Sequence, residues 1–208
     1  KDPSKLWGCS VDEITAEWAP KRIEIRKNIS PFYFNQYSST AIYGTGSVMD
    51  RFKQIATNNG SDFLINSAIT NIEYSKGRIE KLIHQGGESL VNQQDIVINT
   101  LPLSIIGKIM GIDNALKYRG VITLNVETNE SVSFPLGAHW AYFDQSSVYF
   151  TRITHFSRLS PKATFSKHGD VLCVEIPYSK DDNIDKLSHN TLWSHVFKQL
   201  QLIPWIKV

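Results

Sequence analysis

The stretch VLCVEI, residues 171–176, is one of several short β-prone runs in the second half of the chain. Similar runs occupy residues 121–126, 139–143 and 148–153. Each run alternates or is apolar throughout, and turn residues separate one from the next, which is the pattern of neighbouring antiparallel strands. The second half of the chain is therefore predicted to form an antiparallel sheet.

A helix is predicted to follow this sheet. Ser188 is placed to cap its first turn, because a serine hydroxyl can accept a bond from a free helical amide. Three apolar residues then recur at helical spacing: Leu192, Val196 and Leu200. An apolar stripe of this kind predicts a helix that covers one face of the sheet.

Shorter strands are expected upstream of the sheet. They are predicted at residues 63–66, 69–74 and 78–84, with turns at 76–77 and 85–87 and a short strand near Leu90. The apolar run at 95–100 is typical of a buried strand in a parallel sheet. Pro102 then favours the first turn of a helix that buries three isoleucines, Ile105, Ile106 and Ile109.

The first sixty residues are predicted to be mainly helical. Ser10 and Glu13 have the spacing of a capping box, and the helix they start would bury Ile14 and Trp18 before Pro20 interrupts it. Residues 29–43 have no clear period and indicate an irregular connection. A second helix is predicted after Gly46, with a glycine stop at residues 58–60 and an apolar stripe formed by Val48, Phe52, Ile55 and Ala56.

Composition excludes several classes of protein. The formal net charge of +2 comes from 22 basic and 20 acidic residues that are interspersed along the chain, so there is no electrostatic signature of nucleic acid or anionic membrane binding. No apolar run approaches the roughly 18 residues that a membrane span needs. The two cysteines, Cys9 and Cys173, indicate ordinary free thiols. We expect a soluble, cytoplasmic protein.

Local motifs for chemistry are weak when each is taken alone. Gly44 and Gly46 precede a helix start that can hold a phosphate or a flavin edge, but a dinucleotide fingerprint would need glycine where Met49 stands. The histidines have no metal-site spacing, and no serine lies in a nucleophile elbow. The sequence therefore predicts neither a metal centre nor a hydrolase.

Two groups of side chains are candidates for a binding pocket. His139, beside Trp140 and on a run that also holds Tyr142, can line a pocket or lie at a solvent edge. Three arginines flank the aromatic runs: Arg119, Arg152 and Arg158. A guanidinium there can clamp a carboxylate or phosphate of a substrate, or it can belong to a surface ion pair.

The order of short motifs resembles the central part of the FAD-dependent amine oxidase superfamily, and most closely its protoporphyrinogen oxidase-like and UDP-galactopyranose mutase-like branches. The matching stretches run nearly end to end: LWG (6–8), EITA (13–16), WA (18–19), RI (22–23), YGTG (43–46), FLIN (63–66) with Ile69 and Ile72, DIVINTLPL (95–103), LKYR (116–119), HWAYF (139–143), RI (152–153) and LCVEI (172–176). Each stretch is short, and their collinear order carries the resemblance.

The resemblance implies an α/β (α+β) fold in which a mixed, mainly antiparallel sheet forms a substrate domain with helices on one face. Residues 1–60 would be the helical part of that domain with the glycine turn, and residues 104–208 its antiparallel sheet. Residues 61–103 would be strands of a discontinuous FAD-binding domain. The cofactor residues implied are Gly44, Thr45, Gly46, Ile69, Thr100, Leu101 and Pro102, and the substrate residues are Tyr118, Arg119, His139, Trp140, Tyr142 and Arg152.

The departures from this pattern also carry predictions. The glycine motifs that hold the FAD pyrophosphate in such proteins are missing, so we expect this chain to be an internal fragment that binds FAD poorly and is inactive alone. Its expected partners are a small-molecule substrate and the remainder of the FAD-binding domain. The implied reaction is flavin-mediated dehydrogenation of an amine, a porphyrinogen-like molecule or a related substrate. The alternatives are a mutase-like flavoenzyme domain and a non-enzymatic α/β module that binds a ligand or a protein.

Overall fold

The computed structural model describes residues 3–15, 17, 43–112, 115–162, 166–180 and 182–207. Its helices are α1 (Pro3–Trp7), α2 (Thr45–Asn58), α3 (Leu103–Ile109), α4 (Phe156–Leu159) and α5 (His189–Leu200). Its strands are β1 (Ile69–Ser75), β2 (Arg78–His84), β3 (Gly87–Leu90), β4 (Gly120–Glu127), β5 (Trp140–Tyr142), β6 (Arg152–His155) and β7 (Val171–Tyr178). The chain divides into two compact units, Lys1–Phe52 with Arg119–Val208, and Lys53–Tyr118.

The larger unit contains a four-stranded antiparallel sheet in the order β4-β7-β6-β5. The antiparallel sheet predicted from the second half of the sequence is thereby confirmed. Strand β7, which contains the stretch VLCVEI, pairs with β4 on one side and β6 on the other. Its apolar residues Leu172, Val174 and Ile176 are fully buried in the core, which accounts for the apolar character of this run.

Helix α5 covers one face of this sheet, as predicted. The Ser188 hydroxyl accepts a hydrogen bond from the amide of Thr191 at 3.2 Å and so caps the first turn. Buried side chains of the helix and of the sheet then form one core: Leu192, Val196, Leu200, Ile153, Leu172, Val174 and Ile176. Alternate residues of the strands supply the sheet side of this core, so the residues between them lie on the opposite face.

The run predicted at residues 148–153 is displaced in the structure. Strand β6 begins only at Arg152, because residues 146–149 turn and the backbone amide of Tyr149 donates to the side chain of Gln199 at 3.0 Å. Phe150 is fully buried in the core, and Val148 and Tyr149 pack against it. The apolar character of this run therefore reflects burial in the core and not strand pairing. The run at residues 139–143 does form a strand, shortened to β5.

The smaller unit is built on an antiparallel meander in the order β1-β2-β3. Lys76 and Gly77 form the first turn with positive φ values of 51° and 77°, as the hairpin prediction required. Lys81 on β2 lies 3.6 Å from a carboxylate oxygen of Glu73 and 3.1 Å from one of Glu88. These contacts and the register confirm the predicted strands at 69–74 and 78–84 and the short strand near Leu90.

Two other predicted strands in this unit are wrong. Residues 63–66 and 95–100 are not strands, and the side chains of Ile96 and Ile98 are 86% and 81% exposed. Within the described residues neither segment has a neighbouring strand, and an extended segment without one cannot form a ladder. The backbone amide of Leu101 instead donates a hydrogen bond to Oδ1 of Asn99 at 3.0 Å, which makes a local turn before α3.

The helices of the first half match their predictions only in part. Helix α2 ends at a left-handed Gly60 as expected, but Phe52 and Ile55 on its apolar stripe are exposed. The capping box of Ser10 and Glu13 is formed, yet it starts only a single 3-10 turn, after which Ile14 is extended. The predictions for Trp18, Pro20 and residues 29–42 lie outside the described residues.

Two further properties concern the chain as a whole. Cys9 is half-buried and Cys173 is buried, and both are free thiols, as predicted. None of the helices in the described ranges combines the length and apolar character that crossing a membrane requires.

Candidate functional site

The face of the larger sheet that lies opposite α5 carries polar and aromatic side chains. The strand registers place them in two rows across the sheet: Tyr142, Arg152, Glu175 and Thr123, and then Trp140, Thr154, Cys173 and Asn125. We call these eight residues the open face. Trp140 and Tyr142 are each about half exposed, so the open face has two accessible aromatic rings at its β5 edge.

An arginine and a glutamate pair at the centre of the open face. One oxygen of Glu175, Oε1, lies 2.8 Å from Nε and 2.7 Å from Nη2 of Arg152. The guanidinium carbon lies 6.0 Å from the centre of the Tyr142 ring, within the range of a cation–π contact. Glu175 thus fixes one edge of the guanidinium, while the Arg152 side chain stays 38% exposed.

Electrostatics keep this arginine charged. Partial burial acts to lower the pKa of Arg152, but the hydrogen bond and charge of Glu175, together with Tyr142, outweigh it and raise the pKa. Burial also raises the pKa of the neighbouring Cys173 thiol, with a contribution from the Glu175 charge. The open face therefore presents a permanent cation, and the neutral Cys173 thiol beside it is buried.

The remaining predicted substrate residues lie in three different places. His139 is exposed just before β5, and its ring centre is 6.3 Å from that of Trp140. Tyr118 belongs to the smaller unit and is 79% exposed. Arg119 is not on the open face but beyond the end of the sheet. The structure therefore brings together Trp140, Tyr142 and Arg152, with His139 at their edge.

Arg119 lies in a cleft of about 290 Å³. The cleft is lined by residues that are distant in sequence, among them Ser4, Lys5, Gly8, Tyr149 and Asp182. Nη1 of Arg119 donates to the Ser179 hydroxyl at 2.8 Å, and Nη2 lies 3.7 Å from Oδ2 of Asp182. In the described ranges no three histidine, cysteine, aspartate or glutamate side chains converge as metal ligands would, in the cleft or elsewhere.

The predicted cofactor residues fall into two groups, one in each unit. Gly44, with a φ of 86°, precedes α2, and Thr45 and Gly46 form its first turn in the larger unit. A side chain added at Gly46 would meet no atom within 4 Å, so this backbone is open to a ligand. Ile69 starts β1 in the smaller unit, where Thr100, Leu101 and Pro102 also lie, exposed, before α3.

Three residues of these sites were missed by the sequence analysis. Glu175 had a detectable signal, because a single carboxylate interrupts an otherwise apolar run and must find a partner when that run is buried. Gly8 belongs to the matching stretch LWG, which did not indicate its contact with Arg119, and Lys5 had no signal. Lys5 donates to the backbone oxygens of Gln145 and Phe150 at 2.9 and 2.7 Å, contacts that only the tertiary fold creates.

Comparison with known proteins identifies the type of fold and its relatives. The model of a protein family described as UDP-galactopyranose mutase matches residues 3–192. Two crystal structures have the same fold over 78% of this chain: a candidate protoporphyrinogen oxidase from Exiguobacterium sp. 255-15, with a TM-score of 0.61 and 16% identity, and a reduced UDP-galactopyranose mutase, with a TM-score of 0.60 and 18% identity. The match covers 36% and 37% of those two chains, so this chain spans little more than a third of their length. No curated protein matches the sequence.

Proposed function

The chain belongs to the UDP-galactopyranose mutase family, and we propose that it forms the substrate-binding part of a flavoenzyme that acts on an anionic, nucleotide-sugar-like substrate. The family is one of FAD-binding flavoenzymes, so the cofactor of the complete site is FAD. When bound, the flavin supplies the electron or bond-forming chemistry. The residues of this chain would bind and orient the substrate.

The arrangement of Arg152 on the open face is the observation that supports this proposal. A guanidinium has five donors in a planar fork; Glu175 binds one edge of it, and the Tyr142 side chain is a further partner. The donors that these two partners leave can bind a phosphate oxygen. The exposed rings of Trp140 and Tyr142 beside it offer stacking surfaces for a base or a sugar.

We propose that the predicted cofactor residues contribute contacts to FAD, each group from its own unit. The open backbone at Gly46 allows close approach of a ligand, as does the exposed segment from Thr100 to Pro102. The sequence still lacks a glycine loop for the pyrophosphate, because Met49 stands at the required position. We therefore propose that Gly44, Thr45, Gly46, Ile69, Thr100, Leu101 and Pro102 contribute contacts and that other segments hold the pyrophosphate.

Those other segments would also complete the smaller unit. Ile96 and Ile98 are largely exposed in a segment whose sequence is typical of a buried parallel strand. An apolar β-prone segment without neighbours favours pairing with another strand. We propose that the remainder of the FAD-binding domain provides it, and that the complete protein is cytoplasmic.

A second candidate reaction is flavin-mediated dehydrogenation of an amine or of a porphyrinogen-like substrate. Its support is the fold shared with the candidate protoporphyrinogen oxidase, which equals the match to the mutase. The mutase-like reaction, which is an isomerisation, and the dehydrogenation differ in their need for an electron acceptor. A dehydrogenation consumes one acceptor per turnover, whereas an isomerisation has no net consumption, so acceptor consumption by the complete protein separates them.

We expect this chain alone to bind FAD at least tenfold more weakly than a polypeptide that joins it to the FAD-binding segments. The physical reason is that the pyrophosphate, which carries the charge of the cofactor, has no glycine loop here. Visible absorbance after gel filtration, with calorimetry, measures both affinities side by side. Absence of flavin from both polypeptides would refute the proposal and would favour a non-enzymatic ligand-binding or protein-binding module.

A further inference from the structure

We propose that the cleft around Arg119 is a second oxyanion-binding subsite, which takes a carboxylate or phosphate group of a ligand. Its link to a substrate rests on the proposed function, but oxyanion binding can be measured without flavin. The cleft is separate from the part of the open face that contains Arg152 and Glu175. Ser179, which Arg119 contacts, lies four residues along the chain from Glu175, or about 13 Å away in an extended strand.

In the part of the chain that the structure describes, Arg119 has far fewer hydrogen-bond partners than a buried guanidinium needs. Its side chain is only 19% exposed, yet among the described residues it makes a single hydrogen bond, from Nη1 to Ser179. Nε is buried and has no partner within the same residues. Charged donors that lose water without gaining acceptors are costly, and such groups often mark the place of a missing ion or ligand.

The nearest carboxylate does not relieve this deficit. Oδ2 of Asp182 is 3.7 Å from Nη2, which is beyond hydrogen-bonding distance, and the same oxygen accepts the backbone amide of Ser179 at 2.6 Å. Asp182 therefore lowers the net charge of the cleft but leaves donors of the guanidinium unmatched. An oxyanion entering the cleft would supply the acceptors and balance the charge.

Gly8 shows that the fold leaves room for this guanidinium specifically. A Cβ atom at Gly8 would lie 1.6 Å from Nη1 and 2.6 Å from Cζ of Arg119, and the φ of Gly8 is 70°. A residue other than glycine at this position would displace Arg119 and strain the backbone. The ammonium of Lys5 fixes the same segment, since it donates to backbone oxygens of Phe143, Gln145 and Phe150.

The lining of the cleft suits a small polar ligand. Among the described residues that line the cleft, Lys5 and Arg119 carry positive charge and Asp182 carries negative charge, so an anion is favoured. Ser146 offers a hydroxyl, and Tyr149 and Pro177 offer apolar surface. A volume of about 290 Å³ lies near the lower limit of ligand pockets, which fits one charged group with a short attached part.

The test is thermal unfolding of the chain in buffers that contain inorganic phosphate, acetate or neither. A ligand that binds only the folded state raises the unfolding midpoint, so we expect a dose-dependent rise with at least one of the two anions. The arm that responds, phosphate or acetate, identifies the class of oxyanion. Arg119→Gln is expected to weaken the binding at least tenfold. Asp182→Asn removes the opposing charge, keeps an acceptor for the Ser179 amide, and is expected to strengthen binding severalfold.

Arg158→Gln is the matched control. Arg158 is exposed and follows β6 beside the other end of β7, where Ser157 contacts Val171. This variant makes the same change of net charge and is expected to leave the response intact. If Arg119→Gln does not fold, Arg119→Met and Asp182→Asn provide the comparison. The proposal is overturned if neither anion raises the midpoint, or if the Arg119 and Arg158 variants respond equally.

Discussion

Replacing Val196 by aspartate is expected to unfold the larger unit. Val196 is completely buried on the face of α5 that packs on the sheet. A carboxylate there would lose its water without gaining a partner, a change in the class of the most destabilising substitutions, about 4 kcal/mol or more. Urea denaturation followed by near-ultraviolet circular dichroism measures the loss of free energy of unfolding.

The control for this substitution lies on the same helix. Ser194 is exposed on α5, so Ser194→Asp adds the same charge to the same element without burying it. We expect a change of about 0.5 kcal/mol or less for this variant. An unfolding midpoint that is the same for Val196→Asp and the unchanged chain would contradict the packing of α5 on the sheet.

Replacing Arg152 by glutamine is expected to weaken the binding of UDP at least tenfold. Hydrogen bonds from a charged donor contribute about 1.5–3 kcal/mol, and every 1.4 kcal/mol is a factor of ten in affinity. Glutamine can still contact Glu175, so the sheet should stay folded. The loss of UDP affinity then measures the loss of the positive charge and of the guanidinium donors. Isothermal titration calorimetry with UDP measures the affinity of the chain and of the variant.

Two comparisons make the Arg152 result specific. Arg158→Gln changes the net charge equally at an exposed residue that is not one of the eight of the open face, and its affinity for UDP should be unchanged. Glu175→Gln retains an acceptor for Arg152 but removes the charge that holds its edge. Equal affinities for the Arg152 variant and the unchanged chain would exclude the open face as the phosphate-binding surface.

The antiparallel sheet and its covering helix could be predicted because their signals are local. The run VLCVEI is flanked by turns, and Leu192, Val196 and Leu200 recur at helical spacing after a capping serine. In these elements the pattern of apolar residues and the buried face coincide. The two strand predictions that failed, residues 63–66 and 95–100, rested on the same kind of pattern but lack a neighbouring strand among the described residues. A β-prone sequence forms a strand only where another strand completes its hydrogen bonds.

The candidate site was predictable in its residue types but not in its geometry. Trp140, Tyr142 and Arg152 were chosen from their aromatic and cationic character, and the strand registers then placed them on one face. The separation of Arg119 from that face could not be predicted, because it depends on where β4 begins. The contacts of Lys5 join residues about 140 positions apart in the chain, and no local pattern encodes such a pair.

The central claim is that the open face of the sheet binds the phosphate-bearing substrate, and mapping UDP binding by nuclear magnetic resonance tests it most directly. In a ¹⁵N-labelled chain, we predict the largest shifts for the indole N–H of Trp140 and the Nε–H of Arg152, with smaller shifts in the amides of β6 and β7. Signals of Leu192 and Val196 on the opposite side of the sheet should not move. The claim would be contradicted if UDP, added to saturation, shifted other signals but left those of Trp140 and Arg152 unchanged.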